Sequence, residues 1–373
     1  MQFTCNQDTF AKYLNIVSRV VSGKPGLPIL NNVLFESSKG KLLITATDLE
    51  IGLSTWIGAD VKSEGKVTVP AKQLTEFVSN VNGETVDVEL DGQNFNVSSG
   101  SNFASFNTIP ADDFPEVATV KDSKPILKIS KDIFVKSVNR VAFAVATDDI
   151  KPVLTGILLE VSGDTVSFVG TDGLRLSRQI VKLNSNAEKD INVLVPAKAL
   201  QELSFIVSEV GEKSDIEIYI IDEKNQILFR YGDVDIVSRL IDGQFPEYRQ
   251  IIPTGYKTLS TVNRNDFLNS LKITNIIAKS VLGNKLILDI DSKAGSITMS
   301  ATQTDLGSNK STFKGDIEGD SLKIAFSSRL LSDVLSHIDS DEVLFECSET
   351  VKPGVFKIPD DPDFVHLVMP MML

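Results

Sequence analysis

The side chains best able to do chemistry are few and poorly spaced for it. His337 and His366 are the only histidines in 373 residues, and neither has a Cys or carboxylate at metal-ligand spacing. Neither a zinc site nor a Ser/His/Asp arrangement is legible, so no metal is expected. Ser22-Gly23-Lys24 holds the lysine of a phosphate loop but lacks the upstream glycine and the following Ser or Thr. The doublets Asp112-Asp113, Asp148-Asp149 and Asp360-Asp361 stand among turn-forming residues, where carboxylates are ordinarily solvated. Cys5 and Cys347 read as buried thiols of a reducing compartment. The chain is therefore expected to be no enzyme and to need no cofactor. What remains is binding chemistry: cations that could meet phosphates, and an apolar tail, Val368-Met369-Pro370-Met371, whose thioethers could repack around different apolar partners.

The cations are not spread evenly. Net charge is −13, which argues against a simple nucleic-acid-binding surface. Yet residues 8–24 (Lys12, Arg19 and Lys24 against Asp8) carry +2, residues 131–145 (Lys131, Lys136 and Arg140 against Asp132) carry +2, and residues 264–285 (Arg264, Lys272, Lys279 and Lys285 against Asp266) carry +3, leaving −20 elsewhere. Each basic stretch coincides with an amphipathic helix pattern. Phe10, Leu14, Val17 and Val21 recur at helical spacing in the first, as do Phe134, Val138 and Val141 in the second.

Those helices open three copies of one domain-sized pattern. Val69-Pro70-Ala71-Lys72-Gln73-Leu74 returns as Val195-Pro196-Ala197-Lys198-Ala199-Leu200, and a more worn copy reads Phe326-Ser327-Ser328-Arg329-Leu330-Leu331. Ala111-Asp112-Asp113-Phe114-Pro115-Glu116 likewise returns around Phe245-Pro246-Glu247. Each copy reads as strand, helix, strands, a second helix entered near Pro70 or Pro196, and closing strands such as 85–90 and 215–220. Asp172-Gly173 marks a hairpin in the middle copy. The expected class is α+β: three domains over 1–123, 124–254 and 255–373, each with two helices and a mostly antiparallel sheet. No apolar run approaches the roughly 18 residues that cross a bilayer, and the N-terminal residues lack a basic region followed by an apolar stretch. A cytoplasmic location is expected.

Several segments carry a resemblance to the bacterial DNA polymerase III β subunit, the replicative sliding clamp family. They are Leu27-Pro28-Ile29-Leu30 with Thr47-Asp48-Leu49-Glu50, Thr171-Asp172-Gly173-Leu174-Arg175-Leu176, Asp242-Gly243-Gln244-Phe245-Pro246-Glu247-Tyr248-Arg249, and the tail. The resemblance runs from end to end. It implies a homodimer whose six domains close a ring around duplex DNA without reading sequence, helices inside and sheets outside. It implies a loader, a replicative polymerase α subunit, and other polymerases and repair proteins as partners. Within it, Lys12, Arg19, Lys24, Lys72, Lys136, Arg140, Lys198, Lys272, Lys279 and Arg329 are the expected DNA-facing set. A peptide pocket is implied at Leu154, Thr171, Gly173, Leu174, Arg175, Leu176, Pro246, Ile251, Val368, Met369, Pro370 and Met371. Subunit closure is implied at Phe103, Ala104 and Phe106 against Ile276 and Ile277.

The chain departs from the family pattern at Leu174, where histidine is common, at Gln250, where a basic residue often follows Tyr-Arg, and at Met372, where arginine often precedes the last leucine. A more apolar pocket with fewer charged contacts follows. The loop at 146–152 is acidic where the family often has DNA-touching groups, so no DNA contact is expected from it. The rival expectation is a β-rich protein-binding scaffold that uses the tail pocket but never encircles DNA.

Overall fold

The computed structural model describes residues 1–21, 27–120, 123–148 and 150–373. The first copy runs β1 (Gln2–Asn6), α1 (Gln7–Ser18), β2 (Asn32–Ser38), β3 (Lys41–Thr47), β4 (Ile51–Gly58), β5 (Asp60–Ser63), β6 (Gly65–Pro70), α2 (Ala71–Asn80), β7 (Thr85–Asp91), β8 (Asn94–Ser99) and β9 (Asn102–Asn107). The second runs β10 (Leu127–Ile129), α3 (Lys131–Val141), β11 (Gly156–Ser162), β12 (Thr165–Thr171), β13 (Arg175–Lys182), β14 (Ile191–Pro196), α4 (Ala197–Val210), β15 (Ile216–Ile221), β16 (Gln226–Tyr231) and β17 (Val234–Arg239). The third runs β18 (Thr258–Asn263), α5 (Arg264–Ala278), β19 (Lys285–Asp291), β20 (Ser296–Gln303), β21 (Gly307–Gly319), β22 (Leu322–Ser327), α6 (Ser328–His337), β23 (Glu342–Cys347), β24 (Gly354–Ile358) and β25 (Asp361–Val368). The order is that of the sequence repeat, two helices per copy.

Local chemistry starts the helices where the sequence places them. Asn6 caps α1 by accepting the Thr9 N–H at 2.9 Å, and Asn263 caps α5 by accepting from Asn265 and Asp266 at 2.9 and 3.1 Å. Pro70 is the N-cap of α2 rather than its first helical residue. The first copy closes around the rings of Phe3, Phe10, Phe35 and Phe95, with centroids 5.3 to 6.5 Å apart. The third closes around Phe267, Phe326, Phe345 and Phe356. Each such fully buried ring contributes roughly 1.5–3 kcal/mol.

The sheets do not respect the repeats, which the sequence reading did not anticipate. The strand pairings are antiparallel, in the orders β5-β1-β7-β8-β9, then β10-β15-β16-β17-β4-β3-β2-β6, then β14-β11-β12-β13-β25-β24-β23-β18-β21-β20-β19-β22. The second sheet therefore joins the first copy to the second through β4 and β17, with Leu53 opposite Ile236. The third sheet joins the second copy to the third through β13 and β25, with Leu176 opposite Leu367. The chain divides accordingly into two compact units, residues 1–131 with 202–240, and residues 132–201 with 241–373. Among the described residues, no helix is long and apolar enough to cross a membrane.

Candidate functional site

The turn between β12 and β13 is built by its own short polar side chains. Thr171 Oγ1 donates to the Arg175 carbonyl at 2.5 Å and accepts the Gly173 N–H, while Asp172 Oδ1 accepts the N–H groups of Leu174 and Arg175 at 2.8 and 3.0 Å. Gly173 has φ 90°, a left-handed value that glycine adopts without Cβ strain. The result is a closed turn that presents Leu174 to solvent, 60% exposed. The tail binds it directly: the Met369 N–H donates to the Leu174 carbonyl at 2.8 Å, and the Met371 N–H to the Ala325 carbonyl at 2.8 Å.

Beside this turn lies a cavity of about 330 Å³, walled by Val145, Ala146, Thr147, Asp148, Ile150, Lys151 and Leu154 on one side and by Asp172, Leu174, Arg175 and Arg329 on the other. Three of the pocket residues expected from sequence, Leu154, Leu174 and Arg175, thus converge, and Arg329 joins them from the expected DNA-facing set. The stretch of residues 145–148 with Ile150 and Lys151, read from sequence only as acidic and without DNA contact, forms about half the described wall. Its acidic composition hid the apolar Ile150, which is 84% exposed.

Other expected pocket residues have different roles. Leu176 and Val368 are fully buried, Leu176 in a core with Leu158, Val169 and Leu367, and Val368 in the core of the third copy. Neither lines this cavity. Thr171 is also buried, its hydroxyl used by the turn. Pro246 and Ile251 are exposed and flank the buried Tyr248, but they do not line this cavity.

Among the expected cations, Arg140 is a correction. It is 2% exposed, bonded through Nη1 to Gln179 and Asp361 at 2.9 and 2.6 Å and through Nη2 to Asp339. Burial pushes the Asp361 and Asp339 carboxyls up, but the Arg140 hydrogen bonds and charge outweigh it and hold both below their usual range. As the tenth residue of its helix, Arg140 matches Ile16 of the first copy, which is also buried, and Ile273 of the third, which is exposed. Buried and held by three acceptors, the Arg140 side chain is not presented at the surface. Lys136 is exposed but lies 3.3 Å from Asp361, and Arg19 bonds Glu202 at 2.6 and 3.2 Å while stacking over Phe205. Lys12 donates to the Val210 carbonyl at 3.1 Å. Lys24 lies outside the described residues. Lys72, Lys198, Lys272, Lys279 and Arg329 are exposed.

Three of these cations occupy one repeated place. Lys72, Lys198 and Arg329 are each the second residue of the second helix in their copy. A cation there faces the positive end of the helix dipole, an arrangement disfavoured by roughly 0.3–1 kcal/mol.

At the expected closure site, β9 is the edge of its sheet, and Phe103 on it is 67% exposed. Ala104 and Phe106 are half-buried, with Phe106 edge-on to Phe77 at 6.1 Å. On α5, Ile276 is 62% exposed, whereas Ile277 is half-buried and packs against the core of the third copy. Ile273, one turn before Ile276, is the exposed neighbour that the sequence reading missed.

One pairing of catalytic type appears that spacing did not reveal. His366 Nδ1 is 3.1 Å from Ser177 Oγ. Both are inaccessible, and Ser177 already donates to the Arg140 carbonyl at 2.6 Å, so the hydroxyl receives the imidazole proton instead of giving one up. Burial, with the charges of Arg175 and His337, holds His366 well below its usual pKa of 6.5. No acyl-transfer chemistry can start from a sealed, proton-accepting serine. The Cys5 thiol is similarly inert, pushed up to about 12 by burial and by Asp87.

Comparison with known proteins agrees along the whole chain. The family models for the N-terminal, central and C-terminal domains of the DNA polymerase III beta subunit match residues 1–118, 128–247 and 249–372. The beta sliding clamp of Synechococcus elongatus is 31% identical over 379 residues, covering all of both chains. The solved sliding clamp of Bacillus subtilis superposes with a TM-score of 0.93 at 26% identity, covering 100% of this chain and 99% of that one. The Pseudomonas aeruginosa clamp bound to griselimycin superposes with a TM-score of 0.93 at 28% identity over all of both chains. With three consecutive domain matches, a shared fold and no accessible catalytic group among the candidates, the chain belongs to the DNA polymerase III beta subunit family.

Proposed function

We propose that this chain is a non-catalytic processivity clamp: two copies close around duplex DNA without reading its sequence, and the pocket beside Leu174 tethers the replicative polymerase and other proteins to it. Ring closure rests on one observation. The junction strands β4 with β17 and β13 with β25 repeat a single pairing rule, and the rule leaves one strand of each kind over. The unmatched pair is β9 and the first half of β21, which pairs with β20 on one side while only residues 315–319 pair with β18 on the other. Joining β9 of one subunit to β21 of its partner satisfies both edges and makes two identical junctions. In this reading the three domains span 1–123, 124–254 and 255–373, the DNA-facing cations are Lys72, Lys198, Arg329, Lys272 and Lys279 with Lys12 beside them, and a separate ATP-driven loader opens the ring in the cytoplasm. Tethering acts through effective concentration, because a polymerase that releases the template stays beside it.

DNA contact in this account is phosphate contact. Replacing Lys72 and Lys198 with alanine is expected to lower the slope of log affinity against log salt by up to about 0.9 per lost contact, with the dimer unchanged. Titration of a short duplex at several salt concentrations reads the slope; an unaltered slope would remove the repeated helix-start cations from the DNA-facing set. Griselimycin, by the same account, binds at the Leu174 pocket.

A further inference from the structure

We propose that Asp333, on α6, is a positioning residue for the peptide pocket, acting through Arg175 to set how the 171–176 turn is held against α6; this rests on the pocket reading above. Asp333 itself lines no part of the cavity. The Arg175 side chain is 5% exposed and is shared between two carboxylates, Asp172 at 2.9 Å through Nε and Asp333 at 2.5 Å through Nη1. Its guanidinium lies 5.5 Å above the Phe143 ring, which stacks on His337 of α6 at 4.2 Å. A cation so enclosed has a fixed direction, and both of its anchors bear on the pocket: Asp172 holds the turn that presents Leu174, and α6 carries Arg329 on the cavity wall.

The first copy supplies an internal control. There the Thr47-Asp48-Leu49-Glu50-Ile51 turn makes the same bonds, Thr47 Oγ1 to the Ile51 carbonyl at 2.9 Å and Asp48 Oδ1 from the Glu50 and Ile51 N–H groups at 3.0 and 2.8 Å. Isoleucine stands where Arg175 does, so the turn closes without an arginine. The Arg175–Asp333 pair is therefore not what folds the hairpin. Buried ion pairs add little net stability over apolar packing, and their best-attested benefit is fixing one arrangement among several. Here the arrangement fixed is the distance between Leu174 and Arg329 across the cavity mouth.

The test measures griselimycin binding and thermal unfolding side by side on the full-length dimer. Asp333→Asn should weaken binding about tenfold, or about 1.4 kcal/mol, with a smaller relative effect on unfolding. Arg175→Met combined with Asp333→Leu, which replaces the pair by apolar groups, should restore or raise the melting temperature while leaving binding weak. Asp333→Glu should recover part of the affinity. Unchanged affinity in Asp333→Asn, or affinity that returns together with stability in the apolar pair, would overturn the positioning role. Wild-type protein that fails to bind griselimycin would overturn the pocket reading itself, and the positioning role with it, before any variant is compared.

Discussion

Replacing Ile276 with aspartate is expected to give monomers at micromolar concentration, measured by light scattering. Ile276 is exposed on α5 in the single chain, so the substitution leaves the core intact. In the ring it would place an unpaired carboxylate in each of two symmetric junctions. An unpaired buried charge costs several kilocalories per mole, so each junction should weaken at least about a hundredfold. Ile277 is the wrong position for this test, because its packing in the third core would confound dissociation with unfolding. Ile273→Asp, one turn earlier on the same exposed stripe, should act in the same direction. A persistent dimer in both variants would mean that subunits meet elsewhere.

Removing Met369 to Leu373 is expected to reduce griselimycin binding at least tenfold, or about 1.4 kcal/mol, while leaving the dimer intact. The deletion cuts after Val368, whose side chain stays buried, and loses the Met369 bond to Leu174 and the Met371 bridge to Ala325. What disappears is the flexible, thioether-rich flank beside Leu174, with little of the core behind it. Retained affinity in a calorimetric titration would move the binding site away from the tail.

The element order was legible because short-range signals mark the helices, such as the Phe10-Leu14-Val17 and Phe134-Val138-Val141 periodicities and the prolines Pro70 and Pro196. The inter-copy junctions were not legible, because β4 and β17 are far apart in sequence and their pairing depends on an edge that only the folded copies create. The pocket was half legible. Thr171-Asp172-Gly173 carries a turn signature that local chemistry explains, while Ile150, Lys151 and Arg329 reach the site through tertiary placement. Arg140 shows the opposite failure: charge suggested an exposed face, but Asp361, Asp339 and Gln179, all distant in sequence, bond the side chain and leave it buried. Composition cannot separate a cation that seeks phosphate from one already satisfied by the protein.

The most direct test of encirclement loads the protein onto nicked circular DNA with its loader and ATP, raises the salt, and follows retention before and after a single cut of the circle. Retention on the circle and release on linearisation is the predicted result, since electrostatic contacts are screened at high salt and only topology then holds the protein. Loss from both forms, with an active loader, would contradict the account and favour a scaffold that uses the pocket beside DNA without surrounding it.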